Sequence, residues 1–160
     1  METKNEWDIL ASKYETVFQP RFKPMYQHMA KIALANPHHK LVDFATGPGE
    51  PSRSIVEKLI SDGNTENTVL ILSDSSEGML KVAKSKISPL LDSVKGLDVK
   101  FEYTEAFCVS PSMSNLDTLL VSLGLMYMSN LDSLLQEFSK SLLPQGRVIS
   151  SHWPHPSKVI

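Results

Sequence analysis

The sequence predicts an α/β fold, a doubly wound parallel sheet with helices on both faces. Three observations carry this. Mostly apolar runs of strand length stand at Leu41–Phe44 and Leu116–Leu123, and a continuous one at Val69–Leu72, and strands buried on both faces read this way. The segments between them place apolar residues one helical turn apart. The first run passes into a helix through Gly47-Pro48-Gly49, and a strand, a Gly-rich turn and a helix open a nucleotide-binding βαβ unit.

Composition sets the bounds. The chain has 160 residues, 41% apolar and 21% charged, with a net charge of −2. That length predicts one domain, residues 1–160, with room for a full core. The charge balance argues against a nucleic-acid partner, which would require a basic face. Cys108 is the single cysteine, so no internal disulfide can form, and a buried free thiol is expected. The N-terminal METKNEWDIL lacks the apolar stretch of a secretion signal. No run reaches the roughly 18 apolar residues of a membrane span. A cytoplasmic location is the expectation.

Residues 1–36 read as two helices. Trp7, Ile9, Leu10, Tyr14 and Phe18 are spaced for a helix over 4–18 that Pro20 ends, and Met25, Met29, Ile32 and Ala33 for another over 22–35. The core, 40–152, opens with the strand Leu41–Phe44. Pro51 suits the first position of the next helix, whose apolar face is Ile55, Val56, Leu59 and Ile60. The turn is ill-suited to a diphosphate. Pro48 and Pro51 lack N–H groups, while Glu50 and Asp43 add negative charge. The dinucleotide pattern G-x-G-x-x-G/A also ends in Ser52 instead of a small apolar residue. A ligand with a cationic group and an adenosine fits better.

The second strand, Val69–Leu72, runs into Ser73-Asp74, and an acidic residue at that tip can accept both ribose hydroxyls. Ser76 is placed to cap the next helix, which buries Met79, Leu80, Ala83 and Ile87. Residues 99–103 alternate as an edge strand does. Cys108–Asn115 reads as loop. After the fourth strand, Asn130 caps a helix with the stripe Leu131, Leu134, Leu135, Phe138 and Leu142, and a turn at Pro144–Arg147 leads to a fifth strand, Val148–Ser151. In the tail, 153–160, His155 lies three residues beyond His152 with no Cys or carboxylate beside them, so no metal site is expected. His38-His39 reads as solvated loop.

Asp43-Phe44-Ala45-Thr46-Gly47-Pro48-Gly49 resembles the D-x-G-x-G-x-G loop of the class I S-adenosylmethionine (SAM)-dependent methyltransferases, with Ala45 where the first Gly usually stands. SDSSEGML (73–80), Thr104-Glu105-Ala106, the Leu116-Asp117 pair with SLGLMYM (122–128), and Pro144-Gln145-Gly146-Arg147 are similar to later motifs of that family, in the right order. Trp7-Asp8-x-x-Ala11-x-x-Tyr14 is similar to the lid helix of its small-molecule branch, which includes ubiquinone/menaquinone-biosynthesis-type enzymes. The resemblance implies a Rossmann-like sheet in the order 3-2-1-4-5. It also implies that strands 6 and 7 of the complete fold are absent, since the sequence stops at Ile160.

The implied cofactor is SAM. Its implied contacts are Tyr14 and Met79, the loop residues Asp43, Ala45, Thr46, Gly47 and Gly49, the strand-tip pair Asp74 and Ser75, the adenine acceptors Glu105 and Ala106, and Ser122 and Leu123 after strand four. The implied reaction is in-line methyl transfer to a small-molecule acceptor lying near Tyr127, His152 and Trp153. No catalytic base is assigned. Two other readings stand beside it: a SAM-binding domain without turnover of its own, and an NAD(P)-linked oxidoreductase. An uncovered edge on strand five implies self-association or a partner there.

Overall fold

The computed structural model describes residues 6–35, 39–92, 94–105 and 108–153. Its centre is a five-stranded parallel sheet, β1 (Lys40–Phe44), β2 (Thr68–Asp74), β3 (Leu97–Tyr103), β4 (Leu116–Ser122) and β5 (Leu142–Ser151), in the order β3-β2-β1-β4-β5. This is the expected order, with β3 at one edge. The helices are α1 (Glu6–Lys13), α2 (Lys23–Ala33), α3 (Ser52–Asp62), α4 (Glu77–Leu91) and α5 (Leu131–Ser141).

The period-2 alternation of strand side chains divides the core in two. Leu41, Leu70, Leu72 and Leu120 face α2, α3 and α4, packing with Met29, Ala33, Ile55, Leu59, Ala83 and Ile87. Val42, Phe44, Ile71, Leu119 and Val121 face the other way, toward Met113 and the Leu134 and Phe138 side chains of α5. Phe138 meets Phe44 edge-on, 5.1 Å between centroids. Full burial of each such side chain contributes about 1.5–3 kcal/mol.

Five sequence expectations are corrected. The helix expected over 4–18 is α-helical only to Lys13, widens into a π-helical turn at Tyr14–Phe18, then tightens into a 3-10 turn at Gln19–Phe22. The expected turn at 144–147 is a bulge inside β5. Leu116 pairs with Leu142 and Thr118 with Arg147, so β5 carries extra residues across that gap. Gly146 is required there, because a Cβ would sit 2.5 Å from the Leu116 carbonyl oxygen. On α5 only Leu134 and Phe138 of the expected stripe are buried; Leu131 and Leu135 are exposed. Cys108 is exposed, not buried, because it lies in a loop outside both core layers. Pro51 is displaced by one position and flanks α3 as its N-cap residue.

Candidate functional site

A cavity of about 340 Å³ opens at the carboxyl ends of the strands, over the point where β1 is flanked by β2 on one side and β4 on the other. In open α/β sheets ligands bind at this switch point.

The turn after β1 forms its floor. The buried Asp43 carboxylate organises the turn from beneath. Its Oδ2 accepts the Thr46 hydroxyl at 2.7 Å, the Ser52 hydroxyl at 2.7 Å and the Ser52 N–H at 3.2 Å. Its Oδ1 is the single side-chain polar atom sealed away without a partner among the described residues. Burial raises this carboxyl to about pKa 7, against the opposing bonds from Ser52 and Thr46.

Gly47 has φ +55, and a Cβ there would meet nothing within 4 Å. The space over this glycine belongs to the cavity, so a ligand can lie against the main chain. Gly49 (φ +94) serves packing. A Cβ there would come 2.9 Å from that of Ala83 on α4.

Asp74 ends β2. Its Oδ2 accepts the Gly47 N–H at 2.7 Å, and its Oδ1 accepts the Ser76 N–H at 2.9 Å. The carboxylate is thus fixed across two turns, and its remaining lone pairs border the cavity. Burial raises its pKa, opposed by the N–H groups of Gly47, Ser76 and Ser75. Ser76 caps α4 as expected, accepting the Met79 N–H at 3.0 Å. Asp8 of α1 joins that cap, accepting the Ser76 hydroxyl at 2.5 Å and the Gly78 N–H at 2.8 Å.

Two non-glycine residues on the rim, Ala45 and Leu123, both have φ +54. Such conformations cost on the order of 1–3 kcal/mol and cluster at functional sites. They follow the central strands β1 and β4, so the strained turns face each other across the switch point. The Leu123 turn is held by the Ser151 carbonyl (3.0 Å) and hydroxyl (3.2 Å), which accept its N–H.

Of the residues expected in the site, Tyr14, Ala45, Thr46, Gly47, Asp74, Ser75, Met79, Glu105, Ser122, Leu123 and Tyr127 line the cavity. Asp43 and Gly49 lie behind the turn. Ala106 is outside the described residues. His152 and Trp153 are not in the cavity lining. Trp153 stands edge-on to Phe22, 5.2 Å between centroids, on the flank of the lid. The mouth is aromatic. Trp7 meets Tyr127 at 5.3 Å and Tyr14 at 6.2 Å, both edge-on. Burial, and then Tyr127, raise the pKa of Tyr14.

Gln19, Tyr26 and Glu50 also line the cavity and were not expected there. Tyr26 is hidden in the sequence inside a Met-rich stripe, and Gln19 beside a helix-ending proline. Among the described residues no cluster of His, Cys, Asp and Glu could hold a metal ion, and no helix is long and apolar enough to cross a membrane.

A parallel sheet in this order, with a clamped glycine turn and an anchored carboxylate at the tip of β2, is the fold of the class I SAM-dependent methyltransferases. The ubiE/COQ5 methyltransferase family matches residues 16–159, and the chain belongs to that family. It is 28% identical over 144 residues to the ubiquinone/menaquinone biosynthesis C-methyltransferase UbiE of Cupriavidus pinatubonensis, covering 88% of this chain and 55% of the relative. It is 28% identical over 156 residues to the enzyme of the same name from Rickettsia prowazekii, covering 92% and 61%. The chain therefore spans little more than half the length of these relatives. Among solved structures, a SAM-dependent methyltransferase from Thiobacillus denitrificans, in complex with S-adenosylhomocysteine, superimposes with a TM-score of 0.65 at 19% identity, covering 94% of this chain and 56% of that one.

Proposed function

We propose that this chain is a single SAM-binding domain, cytoplasmic in location, that transfers a methyl group to a small-molecule acceptor. The observation that carries the reading is the fixed Asp74 carboxylate beside an open Gly47 at the switch point. A nucleoside with its ribose on Asp74 and its sulfonium over Gly47 meets one acceptor and one bare stretch of backbone. Glu50 and the two prolines oppose a diphosphate at the same place. The Gly47 cradle, which a side chain would fill, fits the cofactor.

SAM supplies an electrophilic methyl on a sulfonium. An acceptor lone pair or carbanion forms the new bond, the C–S bond breaks onto sulfur, and the acceptor's proton goes to solvent or a base. The chain's part is positioning. Asp74 and Met79 orient the nucleoside, and the Trp7, Tyr14 and Tyr127 rings shape the acceptor side. Fixing two reactants in near-attack geometry supplies roughly 7–11 kcal/mol of a barrier.

The aromatic mouth suits a planar, apolar acceptor, and the relatives are named for methylation at carbon in quinone biosynthesis. A quinone-like carbon is therefore the first acceptor to test, followed by metabolite oxygen, nitrogen and sulfur. The test is release of S-adenosylhomocysteine across such a panel, with calorimetric titration of SAM and NAD alongside. Binding of NAD in preference to SAM overturns the reading.

A second reading, cofactor binding without independent turnover, is favoured by the exposure of the acceptor side. Tyr127 is 62% exposed. Binding of SAM with no product over the whole panel selects it. The outer edge of β5, unpaired among the described residues, is proposed as a site of self-association.

A further inference from the structure

Three polar residues that line the cavity are assigned to neither the ribose nor the acceptor. Gln19 (5% exposed), Tyr26 (3% exposed) and the largely buried Glu50 line it from the 3-10 turn, α2 and the turn before α3, and Glu50 is near enough to Tyr26 to act on its hydroxyl electrostatically. Lys86 of α4 stands behind them. Its Nζ donates to Gln19 Oε1 at 2.5 Å and to the Pro48 carbonyl at 3.1 Å, and lies 3.8 Å from Glu15 Oε1. An ammonium can only donate. It therefore fixes the Gln19 amide with oxygen toward Lys86 and the NH2 group turned away.

The Tyr26 hydroxyl has no hydrogen-bond partner among the described residues. Glu50 uses Oε2 for the Ser54 hydroxyl (2.8 Å) and N–H (3.2 Å). Its Oε1 has no partner among the described residues. The Gln19 NH2, Tyr26 hydroxyl and Glu50 Oε1 are not among the sealed polar atoms, so they open onto the cavity they line. Two neutral donors backed by a cation thus face one carboxylate acceptor. The pattern is the complement of an α-amino acid.

We propose that Gln19, Tyr26 and Glu50 form the subsite for the amino-acid end of the cofactor: the Gln19 amide and Tyr26 hydroxyl donate to its α-carboxylate, Glu50 accepts from its α-ammonium, and Lys86 is a positioning residue acting through Gln19. This rests on the proposed SAM reading and deepens it. An ammonium has three donors, so Glu50 and the main chain after β4 can share it. Burial raises the Glu50 pKa and lowers that of Lys86; a bound zwitterion replaces the solvation both have lost.

The experiment is isothermal titration of the full chain with two probes. S-adenosylhomocysteine carries the amino-acid end, and 5′-methylthioadenosine lacks it. Glu50→Gln keeps the shape and an oxygen for Ser54. It should weaken S-adenosylhomocysteine about tenfold or more, the range for a hydrogen bond to a charged group, with methylthioadenosine unchanged. Gln19→Leu and Tyr26→Phe should show the same selectivity. Lys86→Met should weaken S-adenosylhomocysteine in the wild-type background and add nothing to Gln19→Leu, and Lys86→Arg should restore affinity.

Unchanged S-adenosylhomocysteine affinity in Glu50→Gln and Gln19→Leu overturns the subsite. Equal loss of both probes overturns it too, because the residues are then structural. If the wild type binds neither probe, the cofactor reading fails and takes the subsite with it. If the wild type binds both equally, the cofactor reading survives and the subsite does not.

Discussion

Asp74 Oδ2 accepts the Gly47 N–H at 2.7 Å, joining the tip of β2 to the turn after β1. The ribose acceptor and the glycine turn are therefore one unit. Asp74→Ala should weaken S-adenosylhomocysteine by about 1.5–3 kcal/mol through lost charged hydrogen bonds. It should also destabilise the fold by about 1–2 kcal/mol, because the Gly47 and Ser76 N–H groups lose their acceptor. The control is the 2′-deoxy analogue of the ligand. Wild type should discriminate against it and the variant should not. Equal discrimination in both removes the ribose from Asp74.

Gly47 and Gly49 should separate function from packing. Gly47→Val places a branched side chain in open cavity space at φ +55. It should abolish cofactor binding while circular dichroism stays native. Gly49→Ala drives a methyl against Ala83 and Ile87 and should lower Tm. Normal binding by Gly47→Val would make that turn purely structural.

Ala45 holds φ +54 without a glycine. A left-handed L-residue costs about 1–2 kcal/mol, and glycine's extra unfolded freedom returns roughly half of that. Ala45→Gly should therefore stabilise the protein by about 0.5–1 kcal/mol in urea denaturation, with the cavity unchanged. A destabilised variant would show that the Ala45 methyl packs more strongly than its backbone strains.

The Asp43 carboxyl, raised to about 7 by burial, makes stability fall as pH rises. The folded state holds this proton more tightly than the unfolded chain does. Its contribution is therefore complete at low pH and is lost as pH climbs through about 7, at most about 1.4 kcal/mol per pH unit. Glu50 and Asp74 are also raised by burial and act in the same direction. Asp43→Asn keeps an oxygen for Thr46 and Ser52 and cannot titrate. Urea midpoints between pH 5 and 8 should fall in wild type and fall less steeply in the variant, where Glu50 and Asp74 still titrate. A wild-type midpoint that rises across this window means Asp43 is ionised throughout.

The outer edge of β5 carries Leu143 and Val148, each 38% exposed, and unpaired edges recruit other chains. Light scattering should report association, with melting temperatures that rise with protein concentration. A concentration-independent monomer melting above about 60 °C would show that this sheet needs no cover.

The strands and the Asp74 and Gly47 positions were legible because apolar runs and a strand–glycine–helix turn are local signals, whereas the sheet order came from the family resemblance. The failures share a cause. Helix periodicity cannot report the π turn at Tyr14, which re-aims a side chain without changing the apolar spacing. Leu131 and Leu135 fit a buried stripe, yet they stay 38% and 41% exposed. Pro144–Arg147 has turn chemistry, but pairing with β4 absorbs it as a bulge. Gln19, Tyr26 and Lys86 meet only in three dimensions, so no spacing announces them.

Asp8 has a consequence for exchanging parts between relatives. Its carboxylate completes the cap of α4, and a Cβ on Gly78 would come 2.9 Å from the Asp8 Cα. The N-terminal helix and the Met79 wall of the nucleoside site thus form one interlocking joint. A chimera that borrows its lid from another methyltransferase must bring an acceptor at position 8 together with a glycine at position 78. The lid and that glycine are inherited as a pair, and swapping acceptor specificity by grafting the lid alone would loosen the grip on the nucleoside.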